Sequence, residues 1–164
     1  MICVFLAKKS KLRYFEVNGG LCLFHCTHIL KGGGIMFDRR FQDINKIVTL
    51  ALIRIGLRPD LAGFSYLCYA IELVIRQPRL IRNLCKGIYI QVGEAFETSK
   101  NNCVERSIRH AIEDTYLNKN FSELNKMFNT EIFTIHDKPT SGQLIKLIAE
   151  YYNLGLYKEH LGIG

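Results

Sequence analysis

Glu105, Arg106 and Arg109 are the residues whose types and spacing could do specific chemistry in this chain. They lie in the stretch NNCVERSIRHAIEDTY, residues 101–116, and at about 100° per residue on a helix they fall within roughly a 100° arc. A guanidinium fork matches the paired acceptors on the major-groove edge of guanine, and a carboxylate accepts from the amino group of cytosine. Two arginines beside a glutamate on an exposed face can therefore read base edges. The same spacing also suits a Glu105–Arg109 pair on a solvated face, worth about 0.2–0.5 kcal/mol, and by spacing alone that plainer outcome is the commoner one.

The element that presents these side chains must pack its other side on a core. Val104, Ile108, Ala111, Ile112 and Thr115 gather into one apolar stripe away from the charged arc, so residues 101–116 are predicted as an amphipathic helix, with Asn101 or Asn102 as its N-cap. Upstream, Ile88, Val92 and Phe96 recur at helical spacing and predict a short helix over Ile88–Phe96, with Thr98 to Lys100 as a turn. Helix, turn and second helix make a helix-turn-helix. In that motif the second helix enters the major groove with its N-terminal part at the base edges, while the first crosses the backbone.

The run from Val104 to Glu113, VERSIRHAIE, resembles the recognition helix of the stage-zero sporulation protein A family, the sporulation response regulators of endospore-forming bacteria. Gly63-Phe64-Ser65-Tyr66-Leu67 followed by Ala70-Ile71 is similar to the family's Gly-x-x-Tyr-Leu-x-x-Ala-Ile, and Lys138-Pro139-Thr140 to its Lys-Pro-Thr before the last helix. The motifs occur in the family's order and span about Ile44 to Tyr152. The resemblance implies a C-terminal DNA-binding (effector) domain that reads a TGTCGAA-like box in double-stranded DNA, in tandem or repeated sites bound by two domains as a homodimer. It implies Glu105, Arg106 and Arg109 at base edges, with His110, Lys138, Thr140 and Asn102 at the backbone. It also implies that Asp114 to Asn129 faces the sigma subunit of RNA polymerase. Ahead of Val-Glu-Arg the family tends to carry Thr or Ser and a basic residue, whereas this chain has Asn101, Asn102 and Cys103. In the family a phosphorylatable receiver domain precedes the DNA-binding domain. Residues 1–35 are too few for one, so the expectation is DNA binding without phosphorylation gating.

Composition sets looser bounds. The 164 residues are 48% hydrophobic and 23% charged, ordinary for a folded globular domain. No apolar run approaches the roughly 18 residues of a membrane-spanning helix, and Met1 to Ala7 is short for a signal-peptide core with its basic residues on the wrong side. A cytoplasmic protein is expected. The 6 cysteines fit reduced thiols, with Cys68 and Cys85 in apolar helical patterns. The net charge of +7 is unevenly placed: residues 1–35 carry 5 basic and 1 acidic residue, which leaves +3 on residues 36–164. A charge that small allows a local DNA-binding patch without arguing for one.

Residues 1–35 show no defensible period. Cys22, Cys26 and His28 lack the second, separated ligand pair of a structural zinc site, so no metal is expected there. Residues 1–35 are expected to be a non-family leader, either disordered or a start-site artefact, since Lys31-Gly32-Gly33-Gly34-Ile35-Met36 is what a purine-rich ribosome-binding site and start codon give when translated in frame, which favours a natural start at Met36. The domain is then 36–164. Within it Ile44, Ile47, Val48, Ala51, Leu52 and Ile55 predict a helix capped near Asp43 and ended by Gly56. A second helix is predicted over Leu61–Gln77, burying Tyr66, Leu67, Ala70, Ile71, Val74 and Ile75, and a short third over Arg79–Cys85. Phe121–Phe128 and a last helix burying Leu144, Ile145, Ile148, Ala149 and Tyr152 complete an all-α bundle of about six helices, followed by a loose or partner-packed tail from Leu154. Glu131 to Ile135 is predicted to be extended.

An alternative function is a protein-interaction module that pairs with and titrates a full-length regulator. The modest charge and altered turn motivate it; the intact Glu105, Arg106 and Arg109 argue against it. An enzyme is not expected, and neither is a cofactor. No paired acids, oriented Cys–His arrangement or phosphate cradle stands out, and Asp114, His136 and Asp137 have no spacing that catalysis demands.

Overall fold

A helix that is apolar almost all round has nowhere to go but the middle of a domain, and α2 (Ala62–Arg76) is that helix. Leu67, Ala70 and Ile71 are fully buried, and Phe64, Cys68, Leu73 and Val74 nearly so. Helices before and after it in sequence, α1 (Arg39–Ile55), α4 (Asn101–Lys119) and α6 (Ser141–Asn153) among them, pack against it. The computed structural model describes residues 13–17, 20–24, 39–98, 101–119, 121–134 and 136–161.

The chain divides into two units, Met1–Phe37 and Asp38–Gly164. In the first, β1 (Arg13–Val17) pairs antiparallel with β2 (Gly20–Phe24), Arg13 opposite Phe24 and Val17 opposite Gly20. This hairpin is not predicted from the sequence, because Leu21 to Phe24 is apolar throughout and shows no alternation. Cys26, His28 and the run Lys31 to Met36 lie outside the described residues.

The second unit is all-α among its described residues. α1 (Arg39–Ile55) begins upstream of Asp43, which therefore sits inside the helix rather than at its cap. Its predicted face is the buried one, from Ile44 to Ile55. At its end Gly56, at φ 101°, lets Leu57 N–H reach the Leu52 carbonyl (3.0 Å) and its own N–H reach Ile53 (2.9 Å). This paired closure needs a left-handed residue after the last helical turn, and glycine fills it without strain.

After α2 comes a tight 3-10 segment, Pro78–Asn83, then one wide turn, Leu84–Ile88, where the sequence predicted a short α-helix. Cys85 is exposed there rather than packed inside. The chain continues through α3 (Tyr89–Ala95), α4 (Asn101–Lys119), α5 (Ser122–Phe128), α6 (Ser141–Asn153) and α7 (Tyr157–Leu161). α5 buries Leu124 and Met127, with Phe121 buried just ahead of it. α6 buries Leu144, Ile145, Ile148 and Ala149 as predicted, but Tyr151 goes deeper than Tyr152. The tail, expected to be loose or partner-packed, turns at Gly155 and forms α7, where Tyr157 stacks on Tyr152 (centroids 5.4 Å apart, planes 12°).

Candidate nucleic-acid interface

The geometry of α4 follows from what lies under it. Val104, Ile108 and Ala111 are fully buried and Ile112 and Thr115 nearly so, the whole of the predicted stripe. Thr115 can be buried because its hydroxyl donates to the Ala111 carbonyl at 2.9 Å. Beneath the stripe lies Gly63 of α2. A Cβ built there would stand 2.0 Å from the Ser107 carbonyl oxygen and 2.9 Å from Ala111 Cβ, so the two helices approach to a distance only glycine allows.

α3 enters this arrangement with Val92 fully buried, as is Ile88 just ahead of it, while Phe96 meets Tyr66 and Tyr69 edge to face at 4.9 and 6.0 Å. It ends like α1: Thr98 N–H bonds to the Gly93 carbonyl (2.8 Å) and Glu97 N–H to the Glu94 carbonyl (3.3 Å). Here, however, the left-handed residue is Glu97, at φ 52°, a conformation that costs a side-chain-bearing residue about 1–2 kcal/mol. Ser99 and Lys100, the rest of the predicted turn, lie outside the described residues, as do the side chains of Asn101 and Asn102.

On the outer side of α4, Arg106, Arg109 and His110 are exposed and Glu105 half-buried. Arg109 Nη2 donates to Glu105 Oε1 at 2.6 Å. The two side chains are thus oriented together, Arg109 71% exposed and Glu105 34%. Arg106 and His110 have no hydrogen-bond or ion-pair partner among the described residues.

A second segment comes to the same side. Lys138, just ahead of α6, forms an ion pair with Glu113 of α4 and lies 5.9 Å from the centre of the Tyr116 ring. Tyr116 in turn donates its hydroxyl to the His136 carbonyl (3.2 Å). The loop is shaped by Asn125, whose side-chain oxygen accepts from the Ile132 and Phe133 N–H groups (2.8 and 3.0 Å) and whose amide donates to the Phe133 carbonyl (2.6 Å). Asp137 accepts from the Thr134 N–H and hydroxyl (2.9 and 2.8 Å), which holds its carboxyl below the usual range. Residues 131–134, predicted to be extended, form no strand and are part of this side-chain-braced loop.

Thr140 caps α6. Its hydroxyl accepts from Gln143 N–H (3.3 Å) and donates to Gln143 Oε1 (3.0 Å), and its own N–H reaches the same oxygen at 2.8 Å. This is a capping box with glutamine in the third helical position. Next in sequence, Ser141 lies near the buried Tyr89 of α3; burial raises that phenol's pKa, with Ser141, Glu105 and Arg109 close enough to act on it. So α3, α4 and the start of α6 converge on one region of the surface.

Of the residues predicted from sequence, Glu105, Arg106, Arg109 and His110 share an exposed arc, and Lys138 joins its C-terminal part through Glu113. Sequence reasoning missed Glu113, Tyr116, Asn125 and Tyr89. The first two could have been found, since Glu113 lies one turn beyond Arg109 and Tyr116 falls in the same arc.

A family model described as "Sporulation initiation factor Spo0A C terminal" matches residues 48–152. The chain belongs to this family. The match runs from within α1 to near the end of α6 and contains α3, α4 and the loop bearing Lys138. Spo0A C-terminal domains are the DNA-binding domains of sporulation regulators, not a catalytic family, so this chain carries a DNA-binding transcription-factor domain. No helix among its described residues is long and apolar enough to cross a membrane.

Proposed function

We propose that this Spo0A-type domain is a sequence-specific transcription factor that reads a TGTCGAA-like box with α4 in the major groove. Glu105, Arg106 and Arg109 contact base edges; His110, Lys138, Thr140 and Asn102 contact the backbone. The observation that carries this reading is the exposed Glu105–Arg106–Arg109 arc on a helix whose opposite side is wholly buried. Lys138 reaches a phosphate by exchanging its Glu113 partner for it, and Thr140 offers the phosphate the first turn of α6 rather than a free hydroxyl. The functional domain is residues 36–164, a reading that a unit beginning at Asp38 supports. Two domains occupy tandem boxes as a homodimer, and Asp114 to Asn129, with Leu117 exposed on it, offers a surface to the sigma subunit of RNA polymerase.

The test is fluorescence-anisotropy binding of the full chain, without phosphodonor and at a stated salt concentration, to a duplex with tandem TGTCGAA boxes and to a scrambled duplex. Tight binding to the boxes alone is expected. Equal, weak and salt-sensitive binding to both would defeat the reading and favour a module that pairs with and titrates a full-length regulator.

A further inference from the structure

A concavity of about 580 Å³ opens between the 3-10 segment Pro78–Asn83 and α6, lined by Pro78, Arg79, Ile81, Arg82 and Lys146. Its charged lining is entirely cationic, and none of Arg79, Arg82 and Lys146 is ion-paired among the described residues. Several other surface cations of the domain are matched, Arg54 and Lys126 by Glu123, Arg58 by Asp60, Arg109 by Glu105 and Lys138 by Glu113, whereas Lys46, Lys86, Arg106 and Lys158 are unpaired among the described residues but do not line the concavity. Like charges gathered without counter-charge repel one another, and a bound anion relieves that repulsion. The walls are held together by packing, because a Cβ built on Gly142 of α6 would stand 2.8 Å from Leu84 Cδ1, in the wide turn that follows the 3-10 segment.

The place in the fold says which anion. The cationic segment leads through the wide turn Leu84–Ile88 into α3, the helix that in a helix-turn-helix crosses the DNA backbone. Lys146 is on the same helix whose first turn carries Thr140 and Ser141, beside Tyr89 of α3. We propose that this concavity seats backbone phosphates of duplex DNA flanking the box, so that the protein's footprint extends beyond the base pairs read by α4. The guanidinium groups of Arg79 and Arg82 take the phosphate oxygens in pairs, Lys146 adds a point charge, and Pro78 and Ile81 line the site with apolar surface. The inference rests on the DNA-binding reading and extends it.

The experiment uses the full chain and an Arg79→Ala/Arg82→Ala double variant. Anisotropy is measured over a salt series on a duplex ending at the box edges, on one extended by about a helical turn at each end, and on a scrambled duplex of the longer length. Since each neutralised phosphate adds about 0.9 to the slope of log K against log salt, the double variant should lose roughly 2 from the slope on both long duplexes. Its affinity for them should fall about 10-fold at moderate salt, with the short duplex and the melting temperature unchanged. Identical slopes for parent and variant on the long duplexes would overturn the proposal, as would an equal loss on short and long. So would a third result, in which inorganic phosphate raises the melting temperature of the parent but not of the variant while the DNA slopes stay the same, because that assigns the concavity to a small phosphate ligand. The scrambled duplex keeps this test separate from box recognition: if the parent fails to discriminate the box, the slopes still report whether the concavity holds phosphates.

Discussion

Arg106 and Arg109 sit on the same arc of α4, yet their circumstances differ. Arg109 is already tied to Glu105 at 2.6 Å, whereas Arg106 has no hydrogen-bond or ion-pair partner among the described residues. Arg106→Ala is therefore expected to remove a base contact cleanly, costing about 1–3 kcal/mol on the box and relaxing specificity at one base pair; competition against single-base variants of the box reads this directly. Lys138 behaves differently, because its partner in the free protein is Glu113. Lys138→Ala should weaken binding to every sequence alike, and Glu113→Gln should strengthen it by releasing the lysine. In a double-mutant cycle the gain from Glu113→Gln should shrink markedly once Lys138 is alanine. A gain of the same size in both backgrounds would mean that Glu113 only repels DNA and does not restrain the lysine.

At the scale of elements, two backbone positions set where α4 lies. Gly63 allows the approach of α2 to the Ser107 carbonyl, and a methyl group there meets backbone rather than a yielding side chain. Gly63→Ala should destabilise the domain by about 1–3 kcal/mol or more, and any folded protein should bind the box worse because α4 has been pushed aside. Glu97 is the converse case. In the left-handed position that closes α3, replacement by glycine removes strain of about 1–2 kcal/mol against an unfolded-chain entropy cost of about 0.4–1 kcal/mol. Denaturant melts should show a net gain approaching 1 kcal/mol for Glu97→Gly by this balance. The sequence made the helices legible wherever an apolar stripe stood against polar neighbours, as in α1, α4 and α6. It failed at Pro78–Ile88, where tight and wide turns follow one another and no single period exists. It failed again at α7, whose five residues carry too little pattern to read.

For the whole molecule the informative helix is α2, whose predicted stripe was too narrow. The predicted stripe leaves out Glu72 and Leu73, but α2 packs against several helices and both are buried. Periodicity assumes a wet face, and a central helix has none. Burial pushes the Glu72 carboxyl above its ordinary value of 4.5, against Arg76 (Nη2 to Oε1 2.5 Å) and Asn45. The folded state then holds the proton more tightly than the unfolded chain, so the contribution of Glu72 is most favourable below pH 4.5 and declines as pH rises from there through the folded value. Asp60, Glu123 and Asp137 are shifted downward, and what they contribute is lost only as pH falls through their lowered values. Relative to Glu72→Gln, the parent should lose stability as pH is raised above 4.5, measured by denaturant melts at several pH values. A difference between the two proteins that does not change with pH would refute this. The candidate interface was legible on α4 because charge and apolar residues separate there by face. The concavity of Arg79, Arg82 and Lys146 was not, because its two walls are more than 60 residues apart and only packing brings them together.

The crossing at Gly63 also bears on how such a domain can change its target. Its tightest contact is made to the main chain of α4, and no variable group on the outer face takes part in it. On the proposed reading, the direction in which α4 points is therefore independent of which letters it reads. New side chains at positions 105, 106 and 109 could be exchanged as one changes type in a fixed frame, with the docking angle inherited rather than redesigned.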